Sequence, residues 1–235
     1  MMKNTITFLM LLAMLSFAAC DRDVVSEEIA EMKGECWDKT EVVKCECEIT
    51  DVDTYYTMEL EVRNTVDYPY RNLYLFVDIE TPDTMKYCDT VQLFLADNAG
   101  RWYGKGSRLK DRSYYFAADP KFCTTTRSIK GYVPFSVATI HGNGGHPFRF
   151  DPLIVPFEME YQGQQVSVDE YYPVKMRFPK AGTYKFTFRQ GMRDDKLEGI
   201  ASFGIKVSKY NETKIVKAIK KENKERIKRN QSSEN

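Results

Sequence analysis

Histidine is scarce in this chain: 235 residues contain two, His141 and His146, both in the loop HGNGGHPF. Two imidazoles do not make a zinc site, and a third ligand would have to come from Asp151 or Glu158. Without it the segment reads as a plain Gly-rich loop. The motifs HExxH and GxSxG and a phosphate-cradling glycine loop are also missing. That removes the sequence-readable routes to metallohydrolase, serine-hydrolase and nucleotide chemistry. Neither sign of charge is in excess, since 34 Lys and Arg offset 34 Asp and Glu, so the total points to no nucleic-acid partner. No apolar run reaches the roughly 20 residues of a membrane-spanning helix. No catalytic residue, metal ligand or cofactor is assigned.

The longest apolar run is at the amino terminus, MMKNTITFLMLLAMLSFAAC. A short start with Lys3, an apolar stretch from Ile6 to Ala19 and small residues before Cys20 are the parts of an export signal. Residues 1–19 read as a cleaved leader. Ser16-Phe17-Ala18-Ala19-Cys20 resembles a bacterial lipobox, with Phe17 where an aliphatic residue is commoner, so Cys20 is the expected site of lipid attachment. Two or three acyl chains of the palmitate class hold a protein durably, because each buried methylene contributes about 0.8 kcal/mol. The expected location is the cell envelope, anchored to a membrane without crossing it, the outer membrane being the expected one.

The other cysteines are Cys36, Cys45, Cys47, Cys88 and Cys123, an odd number that cannot all pair in one chain. Cys45 and Cys47 lie two apart on a strand pattern and face the same side, poor geometry for bridging each other. They read as small buried hydrophobes.

Along the chain, residues 20–35 read as an acidic, weakly structured spacer. From Thr40 a two-residue alternation begins. Val43, Cys45, Cys47 and Ile49 face one way, and after Thr50-Asp51-Val52-Asp53 a second strand turns Tyr56, Met58, Leu60 and Val62 inward. The two read as a hairpin. A third strand, Asn72 to Thr81, carries Leu73, Leu75, Val77 and Ile79 on one face and Tyr74 and Phe76 on the other. A further strand covers Thr90 to Ala96, and the loop from Asp97 to Gly106 carries Trp102 and Tyr103.

The blocks NTVDYPYRNLYLFVDIETPDT, DTVQLFLADNAGRWYGKG and RFPKAGTYKFTFRQGMRDDKLEGIASFGIKV resemble the gliding-motility lipoprotein family known as GldH, from Bacteroidetes-type bacteria. The resemblance covers about residues 36–109 and 172–208. The span between, about 110–171, reads as an insertion: it has strand-like content at Gly131 to Ile140 and Ile154 to Tyr161, and a hairpin turn at Tyr161 to Val166. Tyr184, Phe186 and Phe188 then share one strand face, and Ile200 to Val207 forms the last strand. From Lys206 onward, ten Lys or Arg face four Glu. This tail, residues 210–235, is expected to be frayed or helical, with a thin apolar stripe through Ile215 and Ile219.

These readings give an all-β fold, an antiparallel sandwich of Ig-like or jelly-roll-like type over residues 36–209, with the inserted β-rich elaboration and the basic tail. The resemblance implies a non-enzymatic envelope lipoprotein that supports gliding machinery, with associated secretion as a further expectation, by binding other envelope proteins. Tyr68, Tyr70, Tyr74, Phe76, Trp102 and Tyr103 are the candidate interface, since large rigid rings suit protein contacts and sugar stacking alike. A surface glycan-binding lipoprotein is the alternative.

Overall fold

The computed structural model of the chain describes residues 23–117, 137–140, 147–161 and 163–231. The leader, Cys20, Cys123, His141 and His146 lie outside the described residues. Where apolar and charged residues alternate, the chain forms strands with one face in the core. The strand β3 (Val43–Ile49) buries Val43, Cys45, Cys47 and Ile49 and exposes the residues between. The same alternation shapes β5 (Asn72–Glu80), β6 (Lys86–Phe94) and β11 (Gly182–Gln190).

The main sheet is a path that begins at β1 (Val24–Glu31) and passes through β13 (Ile200–Lys209), β4 (Tyr56–Thr65), β7 (Leu109–Ala117) and β8 (Val137–Ile140). It continues through β6, β5 and β11 and ends at β3. All pairs are antiparallel except β7 with β8. The path folds over on itself. Phe188 of β11 and Phe203 of β13 lie far apart along it, yet their rings are 5.3 Å apart across the core. At the open ends Ser26 of β1 donates to the carbonyl of Glu46 on β3 at 2.7 Å. The protein is therefore an all-β antiparallel sandwich. A small second sheet pairs β2 (Cys36–Asp38) with β12 (Lys196–Glu198) and seats the fully buried Trp37 against Phe203.

Two features differ from the sequence reading, and a third takes one of its two alternatives. First, β3 and β4 are not a hairpin: β3 pairs with β11, and β4 pairs with β13 and β7. The link between them is closed by Asp51, whose carboxylate accepts from the amides of Asp53 and Thr54 and from the Thr54 hydroxyl. Second, half of the stretch read as spacer is β1, paired with β13 from Val24 to Glu31. Third, the tail forms helix α1 (Glu212–Gln231), which docks through Ile215 and Ile219.

The helix packs on a long hairpin, β9 (Arg149–Tyr161) and β10 (Gln164–Arg177). Leu153, Val155, Tyr172 and Val174 of the hairpin form with Ile215 and Ile219 a second apolar cluster, separate from the main core. Among the described residues no helix is long and apolar enough to cross a membrane.

Candidate interaction site

The sequence blocks YPYRNL, LADNAGRWYGKG, QGMR and LEGI meet at one end of the sandwich. In the loop 95–106, Asp97 accepts from the amides of Ala99 and Arg101 and from Arg101 Nε at 2.7 Å. These bonds outweigh its partial burial and hold its carboxyl below the usual carboxylate range. Arg71 reaches the loop from the neighbouring turn, donating to the Asp97 carbonyl and to Asn98 Oδ1. Gly104 has φ +86°, and a Cβ there would stand 2.6 Å from the Asp111 carbonyl oxygen. Only glycine allows that approach.

The late blocks close the same end. Buried Gln190 accepts from the Met192 amide and donates to the Asp194 carbonyl. The Gly191 amide donates to the Tyr74 carbonyl at 2.6 Å. Tyr70 donates its hydroxyl to Asp194 at 2.7 Å, a bond that raises its pKa. The Gly199 amide donates to the Glu35 carbonyl, and Arg108 pairs with the Glu35 side chain and holds that carboxyl below its ordinary value. Most of these motif residues thus clamp backbone to backbone.

The six candidate aromatics divide on this framework. Tyr68 and Tyr103 are buried, 3% and 6% exposed, so their rings belong to the core and offer no contact area. Tyr68 donates its hydroxyl to the Asn72 carbonyl and packs edge-on to Tyr70. Trp102 is half-buried and leans on Tyr68, with ring centroids 6.3 Å apart. Tyr74 and Phe76 alone stand open, 37% and 40% exposed, on the outer face of β5.

Sequence reasoning missed a third outward ring, Phe94, on the facing strand β6. Asn72 pairs with Phe94 and Tyr74 with Gln92, so Phe94 lies diagonal to Tyr74 on the same outer face. The signal was present: Val91 and Leu93 point inward, which sends Phe94 outward. The open face is thus a short ladder of Phe94, Tyr74 and Phe76, edged by Arg189, which pairs with Asp78 at 2.7 Å. Ladders of exposed rings suit a partner surface more than chemistry.

Elsewhere, a cavity of about 490 Å³ opens between α1 and strands β1, β4 and β7. Its walls carry both signs of charge, and several of these groups pair with one another. Arg63 pairs with Asp111 at 2.5 Å, and Arg112 pairs with Glu222 while lying over the rings of Tyr103 and Tyr114. Among the described residues no group of three or more His, Cys, Asp or Glu is placed to hold a metal ion.

The family model described as GldH lipoprotein matches residues 24–129 and 160–207. The chain belongs to the GldH lipoprotein family. It is 31% identical over 115 residues to the gliding motility lipoprotein GldH of Flavobacterium johnsoniae, covering 48% of this chain and 72% of that protein. A GldH homolog of Christiangramia forsetii is 27% identical over 116 residues, covering 49% of this chain and 70% of the relative. No solved structure matches. The family match enters the span read as insertion from both sides and leaves out only residues 130–159, which hold β8 and most of β9. The core strand β7 is family-matched, so the elaboration is narrower than the sequence suggested.

Proposed function

We propose that this lipoprotein is held at the envelope through Cys20 and supports gliding machinery without catalysis, by docking other envelope proteins on the outer face of β5 and β6. Family membership makes it a motility-associated lipoprotein. The observation that supports docking is the open row of Tyr74, Phe76 and Phe94, three exposed rings gathered on one face of two paired strands. Rings of this kind contribute contact at small entropic cost. Sugar stacking on this side would need Tyr74, Phe76 and Trp102 open on one platform, and the glycan reading has less support because Trp102 packs against Tyr68.

The test is affinity capture from detergent-solubilised membranes of the native host, comparing the unaltered chain with the Tyr74→Ala/Phe76→Ala double variant. The expected result is a defined set of envelope proteins recovered with the unaltered chain and depleted at least about tenfold with the variant, as losing two anchors of roughly 1 kcal/mol or more each would give. Equal recovery by both chains would remove this face as the docking site. Recovery of nothing above background by the unaltered chain would remove the scaffold reading.

A further inference from the structure

The start of β1 and the start of the basic helix meet at the same corner of the sandwich. Only Asp21, Arg22 and Asp23 separate Cys20 from Val24, the first residue of β1. At no more than about 3.6 Å per residue, a chain of that length spans roughly 14 Å at most, which bounds how far a lipid on Cys20 could sit from Val24. Asp23 in turn borders the start of α1: its carbonyl accepts from the Lys209 amide at 2.7 Å, and its carboxylate accepts from Asn211 Nδ2 at 3.2 Å. Asn211 caps α1, its side-chain oxygen accepting from the Lys214 amide. A bilayer holding the lipid therefore lies close to the first turn of a helix about 30 Å long.

The helix is two-faced in charge. Ile215, Ile219 and Asn223 are buried on the hairpin side. On the opposite side Lys217, Lys220, Lys221, Lys224 and Lys228 are all exposed. At 100° per residue, Lys217, Lys221, Lys224 and Lys228 fall in one stripe, with Lys220 beside it. Among exposed residues of the helix, acidic side chains are confined to Glu212 and Glu225. The outer face is thus a preformed row of ammonium groups, held by the docked apolar face.

We propose that this lysine face rests on the anionic phospholipid headgroups of the bilayer that carries the anchor. The inference depends on the lipoprotein reading for its geometry and adds a second, electrostatic attachment. Clusters of four to eight basic residues on a helix beside a membrane attract anionic headgroups within a Debye length. A lipidated terminus by itself holds the body at one point, whereas a second contact along the helix fixes which faces of the sandwich point away from the membrane.

The test uses the full lipidated chain, reconstituted into vesicles of phosphatidylcholine alone or of phosphatidylcholine mixed with phosphatidylglycerol, with lysine acetylation rates read by mass spectrometry. Flotation with both vesicles reports the anchor by itself. The expected result is acetylation of Lys217, Lys221, Lys224 and Lys228 slowed several-fold in the anionic vesicles only. Exposed Lys86 and Lys185 should be unaffected, and the protection should vanish in concentrated salt. In the Lys221→Gln/Lys224→Gln variant, protection of Lys217 and Lys228 should drop. Equal rates in the two vesicles, or equal protection in both, overturn the proposal, the latter pointing to a protein cover. A chain that floats with neither vesicle overturns the anchor and this contact together.

Discussion

Gly199 holds φ +88°, and a Cβ there would stand 2.7 Å from Tyr68 Cα. The obstacle is backbone, which cannot swing aside, and the Gly199 amide and carbonyl are both engaged, with Glu35 and with the Thr65 amide. Gly199→Ala should therefore cost more than the roughly 1–2 kcal/mol of a left-handed residue alone. Gly100, at φ +78° with nothing near its missing Cβ, isolates that smaller cost. Thermal melts of the two alanine variants, with Gly199→Ala lower by several degrees, check the difference; equal melts would mean that the Tyr68 turn yields. Thiol chemistry separates residues in the same way. Burial pushes the Cys47 thiol up to about 12, and burial likewise raises Cys45, while Cys88 is exposed. Alkylation of the folded protein near neutral pH should label Cys88 well before Cys45 and Cys47, and denaturant should abolish the order. Cys45 and Cys47 were legible as core residues because charged neighbours alternate with them. The roles of Gln190 and Gly199 were not, because a motif shows which residues recur together and not which carbonyl each one meets.

At the scale of elements, local pattern revealed faces and missed neighbours. The alternation of β3 and β4 shows what each strand buries, but nothing in either says that β11 and β13 supply their partners. The strand β1 escaped notice because VVSEEIAE lacks alternation and its order comes from main-chain pairing to β13. The helix α1 looked thin because its stripe is short and its partner, the β9–β10 hairpin, is remote in sequence. Its docking carries a pH signature. Glu170 is buried, and burial raises its pKa, while Tyr172 and Asn223 both bond to its carboxylate. A carboxyl raised on folding stabilises fully below its ordinary value near 4.5, and that contribution is lost as pH rises through the raised value. Hydrogen exchange in α1 should accordingly quicken as pH rises above the ordinary carboxylate value of 4.5, beyond the intrinsic rate change, and Glu170→Gln should flatten the trend. An unchanged trend in that variant would place the titration elsewhere. Ile219→Ala, which opens the cluster beneath the helix, should cost about 2–4 kcal/mol.

For the molecule as a whole, the proposed anchor residue leads within four residues into an element of the fold. The strand β13 is buried along nearly its whole length, as a strand covered on both faces is, and one of its two edges belongs to β1. Ser26 of β1 also reaches across to the Glu46 carbonyl, joining the first strand of the sheet path to the last. A lipid on Cys20, as proposed, would therefore reach the body through a strand that is paired from Val24 onward. Deleting residues 21–31 while keeping Cys20 should then do more than shorten a leash. It strips the ladder from β13 and uncovers a long apolar edge, a site for pairing with other chains. With each lost ladder bond contributing about 0.5–1.5 kcal/mol, the loss totals roughly 5 kcal/mol. In a chain this size that lowers the melting temperature by about 10–20 °C. Melting curves and size-exclusion profiles of the two lipidated chains in detergent supply the check. A deletion that melts with the full chain and stays monodisperse would mean that residues 21–31 are a spacer after all, and the rigid coupling of anchor to sheet would go with it.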